Sequence, residues 1–430
     1  MVPALDRREV DELAARYPDD ELEAVVPTNL DREVPHVDLA ALVARHRARP
    51  FDAVVNRRER LVALSAAISS RLGLPTAIDE PLLARDKLRM SQAFRAAGVN
   101  APTTNAFSAE VAAREVEAES YPCVVKPRFG LDSTCAVRVT DRARLVREIR
   151  RQRAVLRGLR RDGFWNDDFL VQPFIGGSEH TVDSLVSGSR VLLHLVSDKL
   201  ATRSPYLQEV GNVTPSRLSH CEIRQLREAA GAAIAAVGIR NGWSHTEVKL
   251  WRGQVWVIEV AARMGGGAFE CMNRRAYGLD MTSHLIDTMC GVGDIPEIRR
   301  QACVASSRLG LPGPAIVLGV AGLKDLCRHP WFEAMSGPRQ RGAVMGPPWG
   351  WSNTVLEYVV SASSEEVASQ RLSRARERLR LVAQRLPRWS HAACWKLSLL
   401  GREAGVGHRR AALTAHHADF ESSASRGGGS

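Results

Sequence analysis

The sequence predicts a protein of mixed α/β and α+β class, built from more than one domain. Three observations lead to that class. At 430 residues the chain exceeds what one small core accommodates, so two or three domains are expected. Residues 1–85 alternate short apolar runs with amphipathic, helix-spaced segments, the pattern of an α/β layer. The middle of the chain instead carries paired runs of β-branched residues joined by tight turns, the pattern of antiparallel hairpins.

Taken in order, 22–26 and 51–55 read as buried strands, and 59–72 as a helix closed by Gly73 ahead of Leu74-Pro75. A parallel sheet is expected in this first segment, without the glycine-rich turn of a dinucleotide site. A helix is predicted over 86–97, ending at Gly98. Tyr121-Pro122-Cys123-Val124-Val125-Lys126-Pro127 reads as a strand that delivers a lysine just before a proline stop. A polar loop over 128–137 contains Gly130, Ser133 and Thr134, and 140–159 is an arginine-rich helix. Residues 169–175 run a strand into the turn Gly176-Gly177, 180–185 and 190–198 pair as antiparallel strands, 204–217 is loop, and 222–237 is helix. Helices follow the next hairpin at 268–277 and 281–290. From about 297 short strands (303–308, 315–320 and 354–362) alternate with glycine- and proline-containing loops. One amphipathic helix is predicted over 365–386, with Val367, Leu372, Ala375, Leu379, Val382 and Leu386 on its apolar stripe. Residues 401–430 lose periodicity and are expected to be disordered.

The net charge of +11 would suit nucleic acid, but aromatics are only 6% and the basic residues are spread widely, so a solvated surface is expected instead. Of the 59 basic residues only six are lysine, and four of those (Lys87, Lys126, Lys199 and Lys249) fall in motif-like segments. A compact ammonium and a planar guanidinium are not interchangeable at a phosphate or in a tight pocket, which makes those four informative. The charged start lacks an apolar signal region, and no apolar run approaches the ~20 residues that span a bilayer. The eight cysteines are scattered singly, as in a reducing compartment. A cytoplasmic protein without membrane or nucleic-acid partners is expected.

The chemistry centres on His245-Thr246-Glu247-Val248-Lys249 and Val257-Ile258-Glu259-Val260-Ala261-Ala262-Arg263-Met264-Gly265-Gly266-Gly267, two strands joined by the turn Trp251-Arg252-Gly253-Gln254. Carboxylates from both strands on one sheet face suit a hard cation such as Mg²⁺ that also holds phosphate oxygens. Arg263 is placed to neutralise charge that develops beside it. An ordinary solvent-facing hairpin is the bland alternative.

In series, Asp86-Lys87, Val125-Lys126-Pro127, the 172–179 segment, Glu247, Glu259 and Arg263 resemble the ATP-grasp superfamily, closely over 86–293 and more loosely at the flanks. The resemblance implies an ATP-grasp fold: a small N-terminal α/β domain (1–85), an ATP-grasp domain (86–296, two subdomains split near 168) and a C-terminal capping α+β domain (297–400). It implies that Lys87 and Lys126 contact ATP phosphates, that the loop with Ser133 covers them, and that Gln172, Phe174 and Ile175 surround adenine. Glu179 would accept from the ribose hydroxyls, and Glu247 and Glu259 would hold Mg²⁺ or Mn²⁺. Cys135 and Ala136 stand where the family often has glycine, and Ala261-Ala262 replace its usual asparagine and proline. The Ala-Ala-Arg run is similar to bacterial L-amino-acid (dipeptide) ligases and antibiotic-pathway peptide ligases. That branch implies catalytic roles for Arg263, Lys199 and Glu209, and substrate contacts at Asn212, Gly265, Gly266 and Gly267, with Gly267 opening a roomier pocket. The implied reaction joins a carboxylate to an amine through an acyl phosphate, on amino acids or small peptides. A carrier protein as acceptor and a non-catalytic nucleotide-binding protein are the alternatives. The oligomeric state stays open, with a homodimer as one candidate.

Overall fold

The structure, a computed structural model, describes residues 4–5, 26–27, 39–108, 121–130, 133–159, 168–200, 202, 205–311, 313–336, 339–346 and 353–386. β1 (Ala4–Leu5) and β2 (Val26–Pro27) pair in parallel, as expected for the first segment. α1 (Leu39–Ala48) and α2 (Val62–Leu72) follow, and α2 closes at Gly73 with a left-handed φ of 67°. The strand expected at 51–55 does not form. Phe51 and Val54 pack against Leu42 and Ile68, and Val55 is 40% exposed, so the apolar run is a connector lying on helices. Composition alone cannot separate such a connector from a buried strand.

α3 (Lys87–Ala96) starts at Asp86, whose side chain accepts from the backbone N–H groups of Leu88 and Arg89. β3 (Asn105–Ser108), β4 (Cys123–Pro127), β5 (Val137–Val139) and β6 (Asp168–Pro173) form a four-stranded antiparallel sheet in the order β3-β6-β4-β5. α4 (Arg142–Leu159) covers it, with Leu145 and Ile149 packed on Val125, Val137 and Phe169.

A larger sheet of eight strands takes up most of the remaining chain. Its first members are β7 (Ser178–Ser187), β8 (Arg190–Lys199) and β9 (Asn212–Thr214). After α5 (His220–Val237) come β10 (Gly242–Trp251) and β11 (Gln254–Ala261), whose turn places Arg252 and Gly253 at φ 53° and 74°. α6 (Phe269–Tyr277) and α7 (Met281–Met289) lead to β12 (Cys303–Gly310), β13 (Ala315–Ala321), α8 (Leu323–Leu326), β14 (Phe332–Ser336), β15 (Val344–Met345) and β16 (Thr354–Ala362). The sheet order is β11-β10-β7-β8-β9-β12-β16-β14. β9 lies in the stretch read as loop. It is only three residues long, too short to carry an alternating pattern, yet it pairs with β8 on one side and β12 on the other. Through it the C-terminal strands continue the central sheet.

The single helix expected over 365–386 is two elements. α9 (Glu365–Arg378) ends at Leu379, and β17 (Arg380–Arg385) pairs antiparallel with β13, which also pairs with β15. The run Arg380-Leu381-Val382-Ala383 fits both periods. Packing selects the strand, since Leu381 and Ala383 join a small core with Ala315, Val317 and Met345 while Val382 is 48% exposed. At Gly322 (φ 81°) any Cβ would lie 2.2 Å from the Arg378 carbonyl oxygen, so only glycine permits the close approach where α9 ends.

Apolar residues of β7, β8, β10 and β11 (Val182, Val196, Val248, Val257 and Val260) face α5 and α3 through Leu226, Ile234, Met90 and Phe94. Strand alternation then turns His245, Glu247 and Lys249 to the opposite face. Among the described residues no helix is long and apolar enough to cross a membrane. Asp198 on β8 is a polar knot within this layer: its carboxylate takes His180 Nδ1 at 2.9 Å, the Ser216 hydroxyl, and both the backbone N–H (2.9 Å) and Nε (3.0 Å) of Arg217. Burial pushes its pKa up, but those bonds outweigh burial and hold it at about 2.

Leu226→Ala is expected to cost about 2–5 kcal/mol, read as a lower urea midpoint with an unchanged slope. Asp198 binds its proton less readily folded than unfolded. Its contribution is therefore present above its ordinary pKa of 3.8 and lost as pH falls toward about 2. Asp198→Asn should be less stable than the wild type at neutral pH and lose stability less steeply in that acid window, as measured by urea midpoints across it.

Candidate active site

A cleft with about 1370 Å³ of empty space, open to solvent, runs between the two sheets. Lys126 and Gln172 line it from the four-stranded sheet, and Glu179, Glu247 and Glu259 from the eight-stranded one. Of the residues singled out from sequence, Lys87, Ser133, Phe174, Ile175, Glu209, Arg263, Gly266 and Gly267 also line it.

Glu247 and Glu259 are direct cross-strand partners on β10 and β11, beside a bulge at Glu247/Val248. Facing like charges destabilise a sheet unless they are compensated. Each has a lysine: Glu247 Oε2 lies 3.1 Å from Lys199 Nζ, and Glu259 Oε1 3.1 Å from Lys87 Nζ. Burial pushes the Glu247 carboxyl up, but Lys199, His245 and Lys126 outweigh that and hold it at about 2. It is therefore ionised at neutral pH, as a hard-cation ligand must be. The pair fits Mg²⁺ or Mn²⁺ as adjacent anionic oxygens. Among the described residues no group of three His, Cys, Asp or Glu side chains could hold a metal by itself, so phosphate oxygens and water must complete the shell.

Lys199 does not line the cleft. It lies directly behind it, with a side chain 3% exposed among Glu179 (2.8 Å), Glu247 (3.1 Å) and Glu209 (3.8 Å). Burial alone would discharge it, but the three carboxylates outweigh burial and raise its pKa above the ordinary lysine value. Lys126 is the opposite case. It is buried, burial lowers its pKa despite Glu259 nearby, and among the described residues no carboxylate comes within the 4.0 Å of an ion pair. A buried ammonium in that state is poised for an anion. Lys87 also donates to the Gly130 carbonyl at 3.0 Å, which ties α3 to the start of the 130–137 loop. In that loop Ser133 and Cys135 adopt left-handed φ of 52° and 62°. The Cys135 side chain is packed into the core under α4.

At the far end Gln172 Nε2 donates to Thr104 Oγ1 at 2.6 Å. Lys249 Nζ donates to the Ile175 carbonyl at 3.0 Å and lies 5.0 Å from the Phe174 ring centroid, while Arg138 lies 4.4 Å from it. Glu179 reaches both Lys199 and, at 3.7 Å, Lys249. All four lysines singled out from sequence therefore belong to this site.

The other end brings together residues from distant segments. Arg263 Nε donates to Glu59 Oε2 at 2.7 Å and Nη1 to the Met264 carbonyl at 2.7 Å. Glu59 also pairs with Arg85 at 3.5 Å. Glu209 pairs with Arg308 at 3.1 Å and accepts from Asn212 Nδ2 at 2.7 Å. Burial raises the Glu209 pKa, but Arg308 and Lys199 outweigh that and lower it. Two expected substrate contacts do not reach the cleft. Asn212 is buried and orients Glu209, and Gly265 is packed over a buried pair, where a Cβ would lie 3.0 Å from both Asp183 Oδ1 and His245 Nδ1. The room expected at Gly267 is already taken: a Cβ there would sit 2.8 Å from Glu357 Oε1 and 3.1 Å from Arg308 Nη2. Glu59 and Arg308 are the charged cleft residues that sequence reasoning missed. Neither sits in a local motif.

Lysines against facing carboxylates, in a cleft between a four-stranded sheet and a larger one, define a clamp for a metal–nucleotide complex. The family models agree: one described as the ATP-grasp domain matches residues 119–272, and one described as the ATP-grasp N-terminal domain matches residues 5–76. The chain belongs to the ATP-grasp superfamily. It is 27% identical over 259 residues, 56% of this chain, to the alanine–anticapsin ligase of Bacillus subtilis, and 27% identical over 274 residues, 60% of this chain, to mouse carnosine synthase 1. It spans 54% and 33% of the lengths of these two curated relatives. Its fold is shared with an L-amino acid ligase from Bacillus licheniformis, at a TM-score of 0.69 and 22% identity over 84% of this chain and 88% of that one.

Lys126→Met is expected to weaken MgATP binding roughly 10- to 100-fold, the loss of one charge-assisted contact, measured by calorimetry. The thermal unfolding temperature without nucleotide should not fall, since the variant removes a buried charge with no ion pair among the described residues.

Proposed function

We propose that this protein is an ATP-dependent carboxylate–amine ligase that joins amino acids or small peptides through an acyl phosphate, releasing ADP and phosphate. The observation that carries this reading is one cleft holding two chemistries. Facing carboxylates and phosphate-side lysines occupy one part, and an acid with two guanidiniums, Glu209, Arg263 and Arg308, lies beyond them. The likeness to alanine–anticapsin ligase and carnosine synthase supports the same class of reaction.

In this reading a substrate carboxylate oxygen attacks the γ-phosphorus of ATP, the bond to the β-phosphate oxygen breaks, and ADP leaves. The amine nitrogen of the second substrate then attacks the acyl carbon, phosphate departs, and the nitrogen loses a proton. A divalent cation held by Glu247 and Glu259 would neutralise charge on the phosphate oxygens. Lys87 and Lys126 supply point charges to those oxygens. Glu209 holds the ammonium of the carboxylate donor, and Arg263, aligned by Glu59, faces the oxyanion of the tetrahedral intermediate. Lys199 fixes Glu179, Glu209 and Glu247 relative to one another, so both substrates meet a preorganised site. No side-chain nucleophile is required.

The test is phosphate release over pairs of amino acids and dipeptides, with products identified by mass spectrometry. One ADP and one phosphate per amide bond are expected. ATP binding without stimulation by any mixture would overturn the reading and favour a non-catalytic nucleotide-binding protein. Glu259→Gln and Arg263→Ala should each lower the rate of product formation by about a hundredfold or more while circular dichroism stays native. Full turnover in both variants would refute the assignment of the site.

A further inference from the structure

Arg308 is a cleft cation to which the reading above gives no role at the nucleotide. It comes from β12, outside the stretch matched by the ATP-grasp domain model, and its side chain is 15% exposed. Its direct cross-strand neighbour on β16 is Glu357, and the Nε–Oε1 distance is 3.1 Å. Glu357 is 2% exposed and does not itself line the cleft, so it holds the guanidinium from behind. On the cleft side Nη2 lies 3.1 Å from Glu209 Oε1. Glu209 has further partners in Asn212 and Lys199, so its charge stays compensated if the guanidinium turns to a ligand. Gly267 borders the same nitrogen: a Cβ there would lie 3.1 Å from Nη2, so glycine lets the guanidinium pack against the backbone where both line the cleft. A planar fork anchored at one end and facing a cleft at the other matches a carboxylate in geometry and charge.

We propose that Arg308 is a specificity-determining residue that binds the unreacted carboxylate of the amine-bearing substrate. The acceptor is then an amino acid or peptide with a free C-terminal carboxylate, rather than a simple amine or a carrier-protein thiol. The inference rests on the ligase reading above. A donor amino acid uses its carboxylate at the phosphates and its ammonium at Glu209. An acceptor amino acid needs the complementary arrangement: an amine at the acyl carbon and an anchor for the carboxylate that survives into the product.

The experiment uses the full chain with saturating ATP and donor. The probes are the best acceptor found among the proteinogenic amino acids, its C-terminal amide and its decarboxylated amine. In the wild type the amide and the amine should raise the acceptor KM roughly 10- to 100-fold, with the KM for ATP unchanged. Arg308→Lys should retain part of that preference, and Arg308→Met should lose it, so that all three acceptors become equivalent. The double variant Arg308→Met with Glu357→Gln leaves no unpaired carboxylate behind and covers the case in which the single variant fails to fold. A merely structural arginine would change stability without changing the preference. Ligation indifferent to the acceptor carboxylate in the wild type, or a free-acid preference kept by either folded methionine variant, overturns the inference alone. Absence of acceptor-dependent phosphate release with every acceptor overturns the ligase reading, and this inference with it.

Discussion

The site depends on one buried charge. Lys199 is withdrawn from water and surrounded by Glu179, Glu209 and Glu247, which come from β7, from the loop before β9 and from β10. An ammonium so placed is stable only because three anions replace its hydration, and those anions would repel one another without it. A compact group with three donors can serve three separate carboxylates. A planar fork is suited instead to one or two, as Arg308 and Arg263 are used here. In a chain whose cations are overwhelmingly arginine, this geometric demand explains why a lysine stands behind the cleft among three carboxylates.

The same logic orders the rest of the cleft. Most reactive groups are held from behind by an opposite charge from another part of the chain: Lys87 by Glu259, Arg263 by Glu59, and Arg308 by Glu357. The Lys87 pair joins α3 to β11, the Arg263 pair joins the N-terminal segment to the chain after β11, and the Arg308 pair joins β12 to β16. Each cross-segment pair converts folding free energy into the positioning of a side chain, which is how a cleft made from distant segments becomes preorganised. Lys126 lacks such a carboxylate among the described residues, and its lowered pKa records the cost.

Local chemistry determined what could be read in advance. The hairpin carrying Glu247 and Glu259 was legible because a tight turn fixes register, and register places the two acids opposite each other. Helices with strong ends, α2 at Gly73 and α3 at Asp86, were legible for the same local reason. The failures are equally physical. Residues 380–385 satisfy helical and strand periods at once, and only the availability of β13 as a partner decides between them. Glu59 lies 204 residues from Arg263, and no spacing rule connects them. Asn212 and Gly265 stand in the right motifs, but Asn212 turns toward Glu209 and Gly265 sits against the His245–Asp183 pair, so proximity in sequence overstated their access to the cleft.

Pairing of this kind constrains how ligands can bind. Glu247 and Glu259 each hold a lysine, and a carboxylate shared between a lysine and a divalent cation interacts less strongly with each. Charge neutralisation at Glu259 therefore frees Lys87 to turn to the phosphates that accompany the cation, while Lys199 keeps Glu179 and Glu209 and stays behind the cleft. Lys126, which has no ion pair among the described residues, has none of these to give up. The electrostatics thus favour nucleotide and cation entering as one complex. Cation alone would part Lys87 from Glu259 with no anion to replace it, and nucleotide alone would set phosphates against two facing carboxylates.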